Sequence, residues 1–157
     1  MEKLSEYIIP YTISQIVSII VLIVAWKYTK AARILFAIIF FLASGVNMYT
    51  GIVTPEGYLE YGKMAIPLYR DFINGWFSEN VALLISLIAI GQFLIAVGMI
   101  LKVMLVKMAC IGVIIFLLAI APLLVGSAFP FSITVSIAAY LVLKKNDFNY
   151  IWKTKNK

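Results

Sequence analysis

The chain has 157 residues, of which 64% are hydrophobic and 13% charged, with a formal net charge of +6. A soluble domain usually holds about 25% charged and about 45–50% apolar residues, so these side chains cannot cover a water-exposed surface; the chain reads as an all-α integral membrane protein in a single domain. It has no His and one Cys, which excludes His-ligated metal or haem, intrachain disulfides, dithiol chemistry and a His general base from the chain itself.

Charges and breakers cut out five apolar stretches, each judged against the roughly 17–25 residues of a spanning helix. The first covers residues 8–26. Before it, Met1 to Tyr7 carry two Glu and one Lys, and the basic cluster follows the run. That order is the reverse of a secretory leader, so the first helix is expected to be retained. The second stretch covers 31–52, and an outer interfacial segment, 53–79, leads to the third at 80–101. The fourth, 103–125, has Pro122 near its end. The uncharged link Gly126-Ser127-Ala128 joins it to the fifth, 129–143, only 15 residues long, so the two are expected to form a tight helical hairpin. A re-entrant element over this pair, leaving three spans, is the alternative. Residues 144–157 form a basic tail. Cys110, in the run Met108-Ala-Cys-Ile-Gly-Val-Ile, reads as a small buried hydrophobe.

With five spans, Lys27, Lys30, Arg33, Lys102, Lys107, Lys144, Lys145, Lys153, Lys155 and Lys157 fall on one side, ten of the thirteen basic residues. Six of the seven acidic residues, Glu2, Glu6, Glu56, Glu60, Asp71 and Glu79, fall on the other. Loop Lys and Arg set topology, so the basic side is expected to be cytoplasmic, with the amino terminus outside and the carboxyl terminus inside the cell membrane. The surplus charge is therefore an insertion signal and implies no nucleic-acid partner; the tail, with Tyr150 and Trp152, is placed to lie on anionic lipid headgroups or to stand solvated.

Within the outer segment, Thr54-Pro55-Glu56 reads as a helix start with Thr54 as N-cap. Tyr58, Tyr61, Ala65, Leu68, Phe72 and Trp76 follow at helical spacing and form one aromatic face, with Glu60, Lys63 and Arg70 on the other side and Pro67 dividing two short helices. This segment is expected flat on the outer surface, as an interfacial anchor or as a lid over a cavity.

No ionisable residue lies mid-span, which counts against a proton relay or ion pathway. The membrane-embedded polar residues are amides and hydroxyls: Ser14, Gln15 and Ser18, Asn47 and Thr50, Gln92, and Ser132, Thr134 and Ser136. Nearly all lie toward the outer leaflet. They serve either as interhelical glue, supported by the small-residue spacing of Ser14 with Ser18, Ser132 with Ser136 and Gly91 with Gly98, or as the lining of an outward pocket.

The run Arg33-Ile-Leu-Phe-Ala-Ile-Ile-Phe-Phe-Leu-Ala-Ser-Gly-Val-Asn47 resembles the start of the DoxX-like membrane proteins. The resemblance continues through Pro67-Leu-Tyr-Arg-Asp-Phe-Ile73 and Gly91-Gln-Phe-Leu-Ile-Ala-Val-Gly98, covering about residues 31–145. It implies a four-helix core preceded by an added first helix. Family members often carry a Glu where Gln92 stands and a Lys near Asn47, departures that weigh against any role relying on charge. Some relatives are subunits of quinone-linked sulfur oxidation or associate with redox enzymes.

The leading expectation is a non-catalytic membrane subunit or accessory protein with no intrinsic cofactor. Its partners would be membrane lipids, a membrane or redox protein and further copies of itself. Its candidate ligand is a quinone or other lipid in an outer-leaflet pocket built from Gln15, Asn47, Tyr58, Glu60, Tyr61, Arg70, Asp71, Trp76 and Gln92. A small oligomeric transporter or channel is the second class, weakened by the lack of mid-membrane charge. An enzyme acting alone would need Glu56, Glu60 or Asp71 as acid or base with Arg70 as anion binder, groups that equally form a solvated salt-bridge face.

Overall fold

The computed structural model of the chain describes residues 2–145 and 148–152. Every regular element among them is a helix. In chain order these are α1 (Glu2–Lys27), α2 (Thr29–Val53), a 3-10 helix (Pro55–Lys63), and α3 (Pro67–Phe72) running into a π-helical turn (Ile73–Phe77). Then come α4 (Val81–Ile100), α5 (Met104–Ile120) with a 3-10 continuation (Ala121–Ser127), and α6 (Phe131–Lys145). Four stretches, Ile8–Lys27, Thr29–Val53, Val81–Ile100 and Met104–Ser127, are long and apolar enough to cross a membrane.

The differences from the expected boundaries have local causes. Hydropathy marks only the apolar part of α1, which continues back to Glu2. Pro122 has no N–H to give to Leu118, so regular α-helix ends at Ile120 and a tighter coil carries the chain on to Ser127. Of the expected basic tail, Lys153, Lys155 and Lys157 lie outside the described residues.

Neighbouring helices close a ring: α1 packs on α2, α2 on α4, α4 on α5, α5 on α6, and α6 back on α1. The α2–α4 contact is the most extensive. The inward faces carry small residues, including Ala25, Ala32, Ala89, Ala109, Cys110, Ala138 and Ala139, while Ile9, Phe41, Leu42, Leu94 and Ile115 point outward. Phe36, Phe40 and Met99 fill the space between these small residues, and the outward apolar face suits a solvent as apolar as leucine. At Gly51 a Cβ would stand 2.6 Å from Cγ2 of Ile85, so only glycine lets α2 and α4 approach this closely. Gly98 plays the same part beside Ala109, whereas nothing lies within 4 Å of a Cβ built at Gly91, which leaves it outside the packing stripe expected for the pair.

One end of the ring gathers the basic residues. The fully buried Arg33 donates to the carbonyls of Met99 (2.8 Å), Leu101 (2.5 Å) and Asn149 (2.7 Å). Lys145 lies 4.1 Å over the Trp26 ring, and the Val103 N–H donates to Phe148 at 2.7 Å. At the other end the Tyr11 hydroxyl donates to the Phe129 carbonyl at 2.8 Å and Tyr69 to Ala119 at 2.6 Å.

The 55–77 segment divides before Pro67 as expected, but its first piece is not the α-helix its spacing suggested. Pro55, Gly57 and Gly62 are poor α-formers, and the first piece winds as 3-10. Thr54 does not cap it; its hydroxyl turns back toward the Thr50 carbonyl at 3.5 Å. Beyond Pro67 the inward face changes register: Ala65, Ile73 and Phe77 are buried, whereas Leu68, Phe72 and Trp76 are 72%, 44% and 52% exposed.

Candidate functional site

The last turns of α2 carry Asn47 and Thr50, and the middle of α4 carries Gln92 opposite them. An amide in an apolar bundle must find a partner. Asn47 uses both of its polar atoms: Nδ2 donates to Gln92 Oε1 at 2.8 Å, and Oδ1 accepts from the Tyr58 hydroxyl at 2.8 Å. The Tyr58 oxygen also lies 2.6 Å from Thr50 Oγ1, and Thr50 Oγ1 is within 2.8 Å of the Val46 carbonyl. These three hydroxyl contacts share two protons, one from Thr50 and one from Tyr58. In one arrangement Thr50 donates to Tyr58 and Tyr58 to Asn47. In the other Thr50 donates to Val46, Tyr58 turns to Thr50, and Asn47 Oδ1 is left as an acceptor.

This chain of polar groups borders a cavity of about 360 Å³ between α2, α4, α5 and the 55–77 segment. Asn47 and Tyr58 line it together with Tyr61, Tyr69, Phe77 and Phe116. Tyr61 meets Tyr58 edge-on at 6.0 Å. The roof is tied down on both flanks, by Tyr58 to α2 and by the Ile66 N–H to the Pro122 carbonyl at 3.1 Å. A second cavity, of about 490 Å³, lies between α1 and the α5–α6 connection, and it shares Tyr61, Ile120, Gly126 and Ser127 with the first. No charged side chain lines either cavity among the described residues.

Of the nine residues singled out from sequence, the structure brings together Asn47, Tyr58, Tyr61 and Gln92. Gln15 stands apart, donating to the Ala128 carbonyl at 2.6 Å and so tying α1 to the α5–α6 connection. Glu60 is exposed and paired with Lys63 at 2.6 Å. Arg70 and Asp71 are exposed, and Arg70 reaches the Ala65 carbonyl at 3.5 Å. Trp76 stacks on Phe72, 5.9 Å between centroids, outside the cavity. Glu56 is exposed as well, so none of the acids considered for catalysis faces the cavities.

Sequence reading missed Tyr69, Ile73, Phe77 and Phe116 as lining residues. The first three follow Ala65 at steps of four, a signal available had the helical count restarted at Pro67. Phe116 carries no such signal on a uniformly apolar helix.

The arrangement can hold an uncharged apolar body with one hydrogen-bonding group directed at Asn47 and Tyr58. Fold and site together define an all-helical bundle with four membrane-compatible helices and an aromatic cavity beneath a short helical cover. No protein-family model matches the chain, and neither a curated protein nor a solved structure is significantly similar to it.

Proposed function

We propose that the protein is a non-catalytic, DoxX-like membrane subunit or accessory protein that holds a neutral lipophilic molecule, such as a quinone, in an outer-leaflet cavity and serves a redox system. In this reading the chain crosses the cell membrane five times, with the amino terminus outside and the carboxyl terminus in the cytoplasm. The segment over 53–79 rests at the outer interface, with Leu68 and Trp76 facing the headgroup boundary. The fifth crossing, α6, spans about 22 Å of helix and draws on the adjoining connection to complete its path.

The observation that carries the ligand reading is the Asn47–Tyr58 hydrogen bond at the edge of an otherwise apolar, aromatic cavity. A volume of about 360 Å³ exceeds the roughly 150 Å³ that holds benzene in an engineered cavity, leaving room for a substituted ring. The absence of lining charge favours a neutral molecule over a fatty acid or a phosphate headgroup.

The test is to purify the protein in a mild detergent and identify the neutral lipids that travel with it. One neutral, ring-headed lipid is expected at near-stoichiometric amount, falling at least fivefold in the Asn47→Leu, Tyr58→Phe double variant. A lipid profile that matches bulk membrane and ignores those substitutions overturns the reading.

A further inference from the structure

We infer that the two cavities are a single bipartite site for a neutral, single-tailed lipid. Its polar head lies against Asn47 and Tyr58, and its hydrocarbon tail runs past Tyr61 into the second cavity. This inference rests on the ligand reading above and extends it to the second cavity, to the class of tail and to the residue that selects it.

The shared wall is the first observation, since Tyr61 lines both spaces. Its ring lies against Gly126, where a Cβ would stand 2.8 Å from Tyr61 Cδ1. Glycine at this position therefore sets how far the ring settles toward the α5–α6 connection and how wide the passage beside it is.

The two chambers also differ in chemistry. Asn47 and Tyr58 belong to the first. In the second, the hydroxyls of Tyr11, Ser14 and Ser127 donate to the carbonyls of Phe129 (2.8 Å), Pro10 (2.8 Å) and Leu124 (3.0 Å). Met64, Val125 and Phe131 add apolar wall that suits a hydrocarbon tail.

Tyr61 is thus the specificity-determining residue for the tail.

Two photoreactive probes test this on the full chain in nanodiscs: a decyl-tailed benzoquinone with an azide on the ring, and the same molecule with a diazirine at the tail end. The ring probe is expected to label residues 58–73 or 84–88, and the tail probe residues 10–14 or 125–131. In Gly126→Leu, which presses on Tyr61 and fills the passage, tail labelling should fall at least tenfold relative to ring labelling. Ring labelling in the first cavity with tail labelling confined to the outward faces of α2 and α4 overturns the bipartite site and leaves the proposed function standing. Unchanged tail labelling in Gly126→Leu likewise overturns it. Labelling of neither cavity overturns the proposed function and this inference together. Should Gly126→Leu fail to fold, the two label maps on the unaltered protein decide alone.

Discussion

Arg33 has the most demanding position of any single side chain described, a guanidinium at 0% exposure that donates to the carbonyls of Met99, Leu101 and Asn149. Met99 and Leu101 stand at the carboxyl end of α4, where carbonyls lack helical partners and the dipole favours a cation. Hydrogen bonds to a charged group contribute about 1.5–3 kcal/mol each and desolvation offsets part of that, so Arg33→Ala should cost about 3 kcal/mol. Thermal unfolding in detergent reads this directly. Arg33→Lys should recover less than half, because one ammonium cannot match the geometry of a planar fork. Asn47 belongs to a milder class. Membrane hydrogen bonds between side chains average about 0.6 kcal/mol, so a double-mutant cycle between Asn47→Leu and Tyr58→Phe should give a coupling of about 1 kcal/mol. Asn47 and Gln92 were readable from sequence because an amide in an apolar run is conspicuous. The burial of Arg33 was not, because an Arg at a helix end counts as a loop charge until the fold folds a tail over it.

Among elements, α2 and α4 meet through the narrowest contact, Gly51 on Ile85. Gly51→Ala should destabilise the bundle by about 1–3 kcal/mol through overpacking. In an Ile85→Ala background, which makes room, the same Gly51→Ala change should cost less than half as much, which a purely conformational effect of the glycine would not allow. The long apolar helices were readable in the sequence because their length and composition alone identify them. The 55–77 segment was harder, since Pro67 lets the chain change register between two faces that both carry aromatics, and hydrophobic spacing cannot choose between 68/72/76 and 69/73/77. That choice comes from packing, where Ile73 and Phe77 find Val81 and Ile85. Gln15 was drawn into the expected pocket by its depth along α1, whereas the ring places α1 next to α6 and sends that amide to Ala128.

For the whole molecule, the expected orientation yields a direct measurement. With Cys110 replaced by Ser, a single cysteine at Glu79 should react with an impermeant maleimide from outside intact cells, and one at Asn156 only after the membrane is opened. The reverse pattern would refute the topology drawn from the charges. The ring order could not be obtained from sequence, because helices that are apolar all round do not announce their neighbours; small residues such as Gly51 and Ala109 settle it only once two helices are brought together. The Arg33 contacts also carry a consequence in time. A chain enters the membrane in the order it is made, so α2 is in place before residue 99 exists, and the guanidinium waits through the synthesis of α4 for Met99 and Leu101 and longer still for Asn149. A chain cut before residue 149 would lack that carbonyl, so Arg33 links the order of synthesis to the order in which the bundle closes.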